Sequence, residues 1–312
     1  VFIYGRFQSP ILWDVTVITT YFVLSLLLLY LPMIADLAII RRTTSNLPSW
    51  LQPVYKILSL NFTEKPEQNR IIQRSVRILL ILLIPAALSI HTVTSWLFAV
   101  TPRAGWDSTI FGPYFVSGAF VAGAAAVIIA MYFFRQNYRL KDYLTDLHFN
   151  KMGMVLATVS LVYLYFNLNE FIVPGYKLKR ADAIHLYDLL AGKDALLFWI
   201  TQVGGLLLPI ILLLFRRFRR PLPLLLISLA VITGAWLKRY LIVIPTQENP
   251  FLPIQHVPEN FIHYSPTLPE TLISVAPFIL VLMIITIISK FFPVIPIHET
   301  ILEKEQHHSQ KD

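Results

Sequence analysis

The sequence predicts an all-α fold, a polytopic bundle of about seven transmembrane helices. The composition is the first reason: 56% of the 312 residues are apolar and 14% are charged, which exceeds what the interior of a soluble domain can bury. The second is a series of mainly apolar runs of about 20 residues, the length that a helix needs to cross a hydrocarbon core roughly 30 Å thick. The alternation over about ten residues that is typical of membrane β-strands does not occur.

The predicted spans cover residues 15–40, 78–100, 110–134, 152–173, 195–215, 222–245 and 270–292. We expect them to form one membrane domain over residues 1–298, followed by a polar cytoplasmic tail over 299–312. The sequence begins at Val1 without a methionine, and its first residues are typical of a loop entering a helix rather than of a signal peptide. We therefore expect further sequence upstream.

Proline and glycine mark the connections between these spans, at residues 102–105, 173–176 and 245–269. The loops after the first, third and fifth spans carry fifteen Lys and Arg residues, whereas the alternate loops carry five. Because Lys and Arg accumulate in cytoplasmic loops, this bias places Val1 outside and the tail after Lys290 inside. It also explains most of the net charge of +8 without a nucleic-acid partner.

The chain contains no cysteine, which excludes thiolate-bound iron–sulfur clusters, disulfides and Cys-ligated zinc. A membrane b-type haem is usually held by two opposed histidines, and only His91 lies well inside a predicted span. We therefore expect neither haem, nor an iron–sulfur cluster, nor another metal site in this chain.

Ionisable residues inside a span cost about 2.5–3.5 kcal/mol each, so each requires a reason. Glu170 lies near the outer end of the fourth span and shares one helical face with Tyr163 and Asn167, at spacings i, i+4 and i+7. Lys238 and Arg239 reach a comparable depth in the sixth span. The spacing therefore predicts cations and a carboxylate in one outward layer.

Two further residues belong to this predicted layer. His91 lies about two thirds of the way out along the second span, and Asp14 lies at the outer mouth of the first. Four helices thus contribute polar groups at one depth. Asp36 lies at the inner end of a span instead, where a snorkelling or capping carboxylate is sufficient explanation.

Each of these residues also has a purely structural interpretation. Lys238 and Arg239 can snorkel to the outer headgroups and pair with Glu170 as a structural bridge. His91 can be an ordinary hydrogen-bonding residue between helices, and Asp14 can cap its own helix beside Pro10.

Several longer stretches carry a family resemblance. They are Gly5–Asp14, Ser89–Trp96, Gly105–Phe115, Tyr163–Phe171 and Trp236–Arg239. Together they resemble the NrfD-like membrane anchors of polysulfide-reductase type, and within that family they are most similar to the quinol-binding C subunit of alternative complex III. The resemblance extends over nearly the whole chain, and it implies one to three further spans before Val1, since members of the family have eight to ten helices.

The resemblance implies a quinol-binding subunit in the bacterial cytoplasmic membrane, without a redox centre of its own. Such a subunit oxidises a quinol, here expected to be menaquinol, near the outer face, and passes electrons to an iron–sulfur or molybdopterin-like subunit docked there. Other membrane subunits and c-type cytochrome subunits are the further partners implied, and proton translocation is the coupling implied.

The resemblance also implies site residues. The stretch from Gln8 and Ser9 to Asp14 matches a family pattern, so Asp14 becomes a carried-over site residue. The predicted catalytic residues are Asp14, Glu170 and His91. The predicted quinol-contacting residues are Gln8, Ser9, Asp14, His91, Glu170, Lys238 and Arg239. One departure is Leu97, where many alternative complex III sequences have an aspartate.

Two other functions fit the same residues. A proton-coupled secondary transporter would use Glu170, Lys238 and Arg239 to bind an anionic substrate, but such a site is expected near the midplane, beside broken helices. The predicted spans are continuous and the polar layer is outward. The other alternative is a purely structural membrane anchor.

Overall fold

The computed structural model describes residues 5–43, 48–63, 65–177, 179–249, 258, 264–298 and 300. The helices are α1 (Pro10–Thr43), α2 (Leu51–Leu58), α3 (Pro66–Ala99), α4 (Phe111–Asn137), α5 (Asp146–Lys177), α6 (Arg180–Leu190), α7 (Ala195–Trp199), α8 (Leu208–Leu214), α9 (Pro221–Glu248) and α10 (Leu268–Phe291). A π-helical segment, Ile200–Leu207, joins α7 to α8, and a 3₁₀ turn covers Arg216–Arg219. The described residues contain no strand, so the predicted all-α class is confirmed.

Among the residues that the structure describes, seven helical stretches are long and apolar enough to cross a membrane, as predicted. They are α1, α3, α4, α5, the continuous stretch Ala195–Leu214, α9 and α10. The helix α3 starts at Pro66, well before the predicted residue 78. The apolar run marks only the part of the helix inside the bilayer, whereas Gln and Arg are good helix formers and Pro suits a first helical position, so the helix extends further.

The fifth span departs from the regular α-helix that its sequence predicts. Its backbone stays helical over Ala195–Leu214 but widens into the π segment. This segment contains Gly205, which faces Gly234 of α9 so closely that a Cβ on either would lie 2.5 Å from the Cα of the other. Small residues allow such approach of membrane helices, and π turns are often found at functional sites.

Two short helices, α2 and α6, occupy segments that the sequence predicts as loops. Burial of one face explains both. In α2, Leu51 and Tyr55 are buried, and the Tyr55 hydroxyl donates to the Phe291 carbonyl. In α6, His185 and Leu189 are among the buried residues. Segments this short carry too little periodicity to be distinguished from loops by sequence.

The chain divides into two compact units. The first unit comprises Val1–Asp14 and Leu88–Tyr264. Its core is apolar and lies between α4, α5, α8 and α9, with Ile128, Leu156 and Leu224 fully buried. All the predicted site residues fall within this unit.

The second unit comprises Val15–Ala87 and Ser265–Asp312. Asp36 is buried there and accepts a hydrogen bond from the His298 backbone N–H (2.9 Å). Burial contradicts the snorkelling interpretation of Asp36, whereas its hydrogen bond from a backbone N–H agrees with the capping interpretation. The helix α10 buries none of its side chains, which suits a lipid-facing span. The predicted polar tail lies outside the described residues except for Thr300.

Candidate functional site

A buried ion pair lies at the centre of the candidate site. The Glu170 carboxylate of α5 lies 2.9 Å from the Lys238 ammonium of α9, and their side chains are only 10% and 7% exposed. Charges withdrawn from water this far require a close partner, because removing one leaves the other uncompensated. The structure thus brings together the two residues that the sequence placed at one depth.

Aromatic rings surround the Lys238 ammonium. It lies 4.4 Å from the centroid of the Phe171 ring and 5.7 Å from that of Tyr114. The negative faces of such rings stabilise a desolvated cation. The lysine is therefore held by one carboxylate and two rings.

A chain of hydrogen bonds lies on the same face of α5, and we call it the polar ladder: Tyr163, Tyr114, Asn167 and Gln202. The Tyr163 hydroxyl donates to the Tyr114 hydroxyl (3.0 Å), which donates to the Asn167 side-chain oxygen (3.1 Å). The Asn167 amide donates in turn to the Gln202 side-chain oxygen (2.6 Å). The two tyrosine rings stack in parallel, 5.0 Å apart.

The ladder connects three elements: α5, α4 and the π segment. Gln202 and Thr201 are buried in the widened π turn, and the Thr201 hydroxyl donates to the Leu197 carbonyl (2.8 Å). Fully partnered polar networks in a low-dielectric interior are rigid. The ladder therefore provides a fixed polar surface inside an apolar bundle.

The structure separates the two neighbouring cations of α9. Lys238 is buried against Glu170, whereas Arg239 is exposed. Consecutive residues on a helix point about 100° apart, so both cannot face the same carboxylate. Arg239 is therefore not a member of the ion pair.

The remaining predicted residues lie around the start of α1 and towards the end of α3. The Asp14 carboxylate accepts a hydrogen bond from the Thr94 hydroxyl (2.5 Å), and the Trp13 and Trp96 rings meet edge to face (6.4 Å). Since α1 begins at Pro10 and Asp14 is bonded to α3, the interpretation of Asp14 as a cap of its own helix was wrong.

Three of the predicted residues make fewer contacts. His91 is half-buried, and its imidazole makes no hydrogen bond to another described residue. Gln8 is exposed and Ser9 is half-buried, in the turn that precedes α1. The Ser9 carbonyl accepts from the backbone N–H groups of Leu12 and Trp13, so Ser9 begins the helix.

His185 of α6 is a candidate that the sequence analysis missed. It is 7% exposed, and its Nδ1 has no hydrogen-bond partner among the described residues. Burial, together with the charge of Lys238, lowers the pKa of His185 from 6.5 to about 4, so the imidazole is neutral at pH 7. The sequence places His185 in a predicted outer loop, and its burial was missed because nothing in the local sequence shows which residue covers it.

Gly105 explains how His185 packs. This glycine has a φ of +84°, and a Cβ here would lie 2.6 Å from His185 Nε2 and 3.1 Å from the Thr246 hydroxyl. Only glycine adopts this conformation without strain and leaves room for the imidazole. The Thr246 hydroxyl, which borders this glycine, is also buried without a partner among the described residues.

The corner between α6 and α7 carries further acidic groups. Asn249 donates to the Asp188 carboxylate (3.1 Å), and Lys193 pairs with Glu248. Burial raises the pKa of Asp194, although Lys193 opposes the shift. A carboxylate with a raised pKa takes up a proton at a pH closer to neutrality than an ordinary aspartate does.

The comparison with known families decides the identity of this bundle. The family described as polysulphide reductase, NrfD, matches residues 1–250. The chain belongs to the NrfD family. This confirms the family resemblance inferred from the sequence motifs, and the matched range contains the ion pair, the polar ladder and His185.

Two curated relatives of this NrfD protein are reductase subunits by name. It is 25% identical over 304 residues to the C subunit of selenate reductase from Mesobacillus selenatarsenatis, an alignment that covers 94% of this chain and 70% of the relative. It is 25% identical over 223 residues to the putative membrane C subunit of dimethyl sulfoxide reductase from Halobacterium salinarum, which covers 69% of this chain and 46% of the relative.

The described part of this NrfD protein offers proton-accepting and hydrogen-bonding groups rather than metal ligands. No group of three or more His, Cys, Asp or Glu side chains among the described residues is arranged to hold a metal ion. The site can stabilise charge through Lys238, accept protons at Glu170 and orient a polar ligand with the amides and hydroxyls of the ladder.

Proposed function

We propose that this chain is the quinol-binding membrane subunit of an oxidoreductase complex. In this proposal it oxidises a quinol, menaquinol in the first instance, near the outer face and delivers the electrons to an iron–sulfur partner. The observation that carries the proposal is the buried Glu170–Lys238 pair beside the polar ladder in a protein of the NrfD family.

Oxidising a quinol to a quinone releases two electrons and two protons, so the site needs proton acceptors as well as an electron acceptor. Glu170 is the proposed acceptor, because Lys238 stabilises its carboxylate before the reaction. Once Glu170 has taken up a proton, the positive charge of the unpaired Lys238 favours release of that proton. The pair is therefore suited to accepting a proton and passing it on.

Asp14 and His91 are proposed to contact the quinol headgroup at the outer ends of α1 and α3. Asp14 is held by Thr94, whereas His91 is half-buried and retains its hydrogen-bonding capacity. Gln8, Ser9 and Arg239 are proposed as peripheral contacts, in keeping with their greater exposure. The proposal thus separates an outer group of headgroup contacts from the inner proton acceptor.

The names of the relatives support the proposed partners. Both relatives are C subunits of reductases, selenate reductase in one case and dimethyl sulfoxide reductase in the other. A catalytic subunit of iron–sulfur or molybdopterin type on the outer face is the proposed electron acceptor, and additional membrane and c-type cytochrome subunits are proposed as in alternative complex III. The proposed location is the bacterial cytoplasmic membrane, with proton translocation as the proposed coupling.

A secondary transporter has less support. Its broken helices would leave unwound backbone at the site, whereas the fifth span remains helical through its π turn over Ala195–Leu214. A purely structural anchor would not require a buried ion pair, which usually contributes little net stability.

The test is quinol oxidation by the intact complex, purified from membranes, with Glu170→Gln. We expect turnover to fall by about a hundredfold or more, the usual contribution of an acid–base group. Glu248→Gln is the matched control, because it changes a glutamate whose lysine partner is much more exposed. Because a lone Lys238 can impair folding, Glu170→Gln combined with Lys238→Met is the second variant. Full turnover in this double variant, or no quinol oxidation by the wild type, would refute the proposal.

A further inference from the structure

Two arginines pack onto the first turns of α5, at the end of the first unit that is rich in Lys and Arg. The Arg135 guanidinium, from α4, pairs with Asp146 (2.8 Å) and lies 5.4 Å from the centroid of the Phe149 ring. The stem of Arg219, from the 3₁₀ turn, packs on Gly153, where a Cβ would lie 2.9 Å from its Cγ. Elements from three parts of the chain therefore meet here.

The contacted residues form one stripe on α5. Asp146, Phe149, Asn150 and Gly153 are spaced i, i+3, i+4 and i+7, which places them on a single helical face. Asn150 thus lies on the same face as the residues that contact the two arginines. We call Arg135, Asn150, Gly153 and Arg219 the arginine site.

One polar atom in each of three side chains of the arginine site lacks a partner among the described residues. The Nε atoms of Arg135 and Arg219 and the side-chain oxygen of Asn150 are buried, and each has no hydrogen-bond partner in the described part of the chain. The two arginine side chains therefore offer donors, and buried donors without an acceptor are costly.

The local charge is strongly positive. The cations in the two adjoining segments are Arg135, Arg139, Lys141, Lys151, Arg216, Arg217, Arg219 and Arg220. The acidic residues there are Asp142 and Asp146. Membrane orientation alone accounts for cations in these loops, but it does not require two arginine side chains to pack against one helical face. An anion is the acceptor that suits this positive charge.

We propose that the arginine site binds the phosphodiester group of an anionic phospholipid. The site lies at the ends of membrane-spanning helices, where headgroups are found, and basic pockets between such helices bind anionic headgroups. The planar guanidinium group matches the geometry of two phosphate oxygens, whereas the ammonium group of a lysine does not. This function is independent of quinol chemistry.

The test compares lipid retention by the purified full complex in nanodiscs of phosphatidylglycerol or phosphatidylcholine, read by native mass spectrometry. We expect a stoichiometric phosphatidylglycerol to be retained by the wild type. Arg219→Gln should weaken retention about fivefold, the usual effect of one arginine near an anionic headgroup. Gly153→Ala should also weaken it, because the new methyl group displaces the Arg219 stem while every charge remains.

Arg74→Gln is the matched control, since Arg74 is an exposed cation of α3 outside the site. Circular dichroism and thermal melting establish that each variant is folded, and Arg135→Gln replaces any variant that is not. Unchanged retention in Arg219→Gln and Gly153→Ala would overturn the proposal. An equal loss of retention in Arg74→Gln would also overturn the proposal, because it would indicate diffuse attraction to the positive surface. Complete displacement of the lipid by millimolar inorganic phosphate would overturn it too.

Discussion

Glu170 and Asp14 are both proposed to take part in quinol oxidation, yet their surroundings differ. Glu170 is almost completely buried, is paired with a lysine and lies beside a ladder of partnered hydroxyls and amides. Asp14 is half-buried and is held by the hydroxyl of Thr94. Glu170 is withdrawn from water together with its lysine partner, whereas the half-buried Asp14 retains contact with its surroundings. The inner carboxylate is thus suited to proton transfer and the outer one to ligand contact.

The largest expected effect comes from removing the lysine of the Glu170–Lys238 ion pair. Lys238→Met leaves a buried carboxylate without its cation and should destabilise the protein by about 3–5 kcal/mol. Thermal melting of the purified complex measures this loss. Adding Glu170→Gln should restore most of the stability but not the turnover, and a single variant as stable as wild type would contradict the account of the pair.

The next effect tests whether His185 belongs to the buried region. Its pKa is lowered to about 4, so the native protein favours the neutral imidazole. The folded protein has its full stability with respect to this group above about pH 6.5. As the pH falls towards 4, the free energy of unfolding decreases by about 3 kcal/mol in all, because the unfolded chain binds a proton at His185 more readily than the native protein does. His185→Gln, which cannot titrate here, should flatten the pH dependence of melting in this window. An identical pH profile in the variant would show that His185 does not titrate as inferred.

A smaller effect is expected from the ladder. Asn167→Leu removes the partner of both Tyr114 and Gln202, and leaving buried polar groups unpartnered costs about 1–3 kcal/mol. Melting measurements should show the loss, with turnover reduced as well. Asn169→Leu is the matched control, because Asn169 lies on the same helix and is less buried. Its side-chain amide donates to the backbone carbonyl of Tyr165, within α5. Equal losses in the two variants would argue against a special role of the ladder.

The smallest change in stability is expected at the outer carboxylate. Thr94→Val removes one partly exposed hydrogen bond and should lower stability by about 0.5–1.5 kcal/mol. If Asp14 contacts the quinol, the same variant should raise KM more than it lowers kcat, because it loosens a binding group. Steady-state assays of the complex separate the two constants. A fall in kcat at constant KM would instead place Asp14 with Glu170 in the chemistry.

The sequence predicted the parts of this arrangement that depend on one helix at a time. The apolar runs predicted the seven spans, and the spacing of Tyr163, Asn167 and Glu170 correctly predicted a shared face. Choosing between Lys238 and Arg239 required the rotation of α9 against α5, which neither helix specifies alone. The burial of His185 likewise depends on Gly105, distant in the sequence. Its φ of +84° is a property of the folded turn.

The contact between Gly205 and Gly234 limits how the site can respond during turnover. Gly205 lies about one helical turn from Gln202, and Gly234 one turn from Lys238. Because the two backbones are already in contact at this point, the two helices cannot move closer together there. If the ion pair changes its charge as proposed, we therefore expect side-chain rotation, rather than closing of the two helices at this level, to accommodate the change.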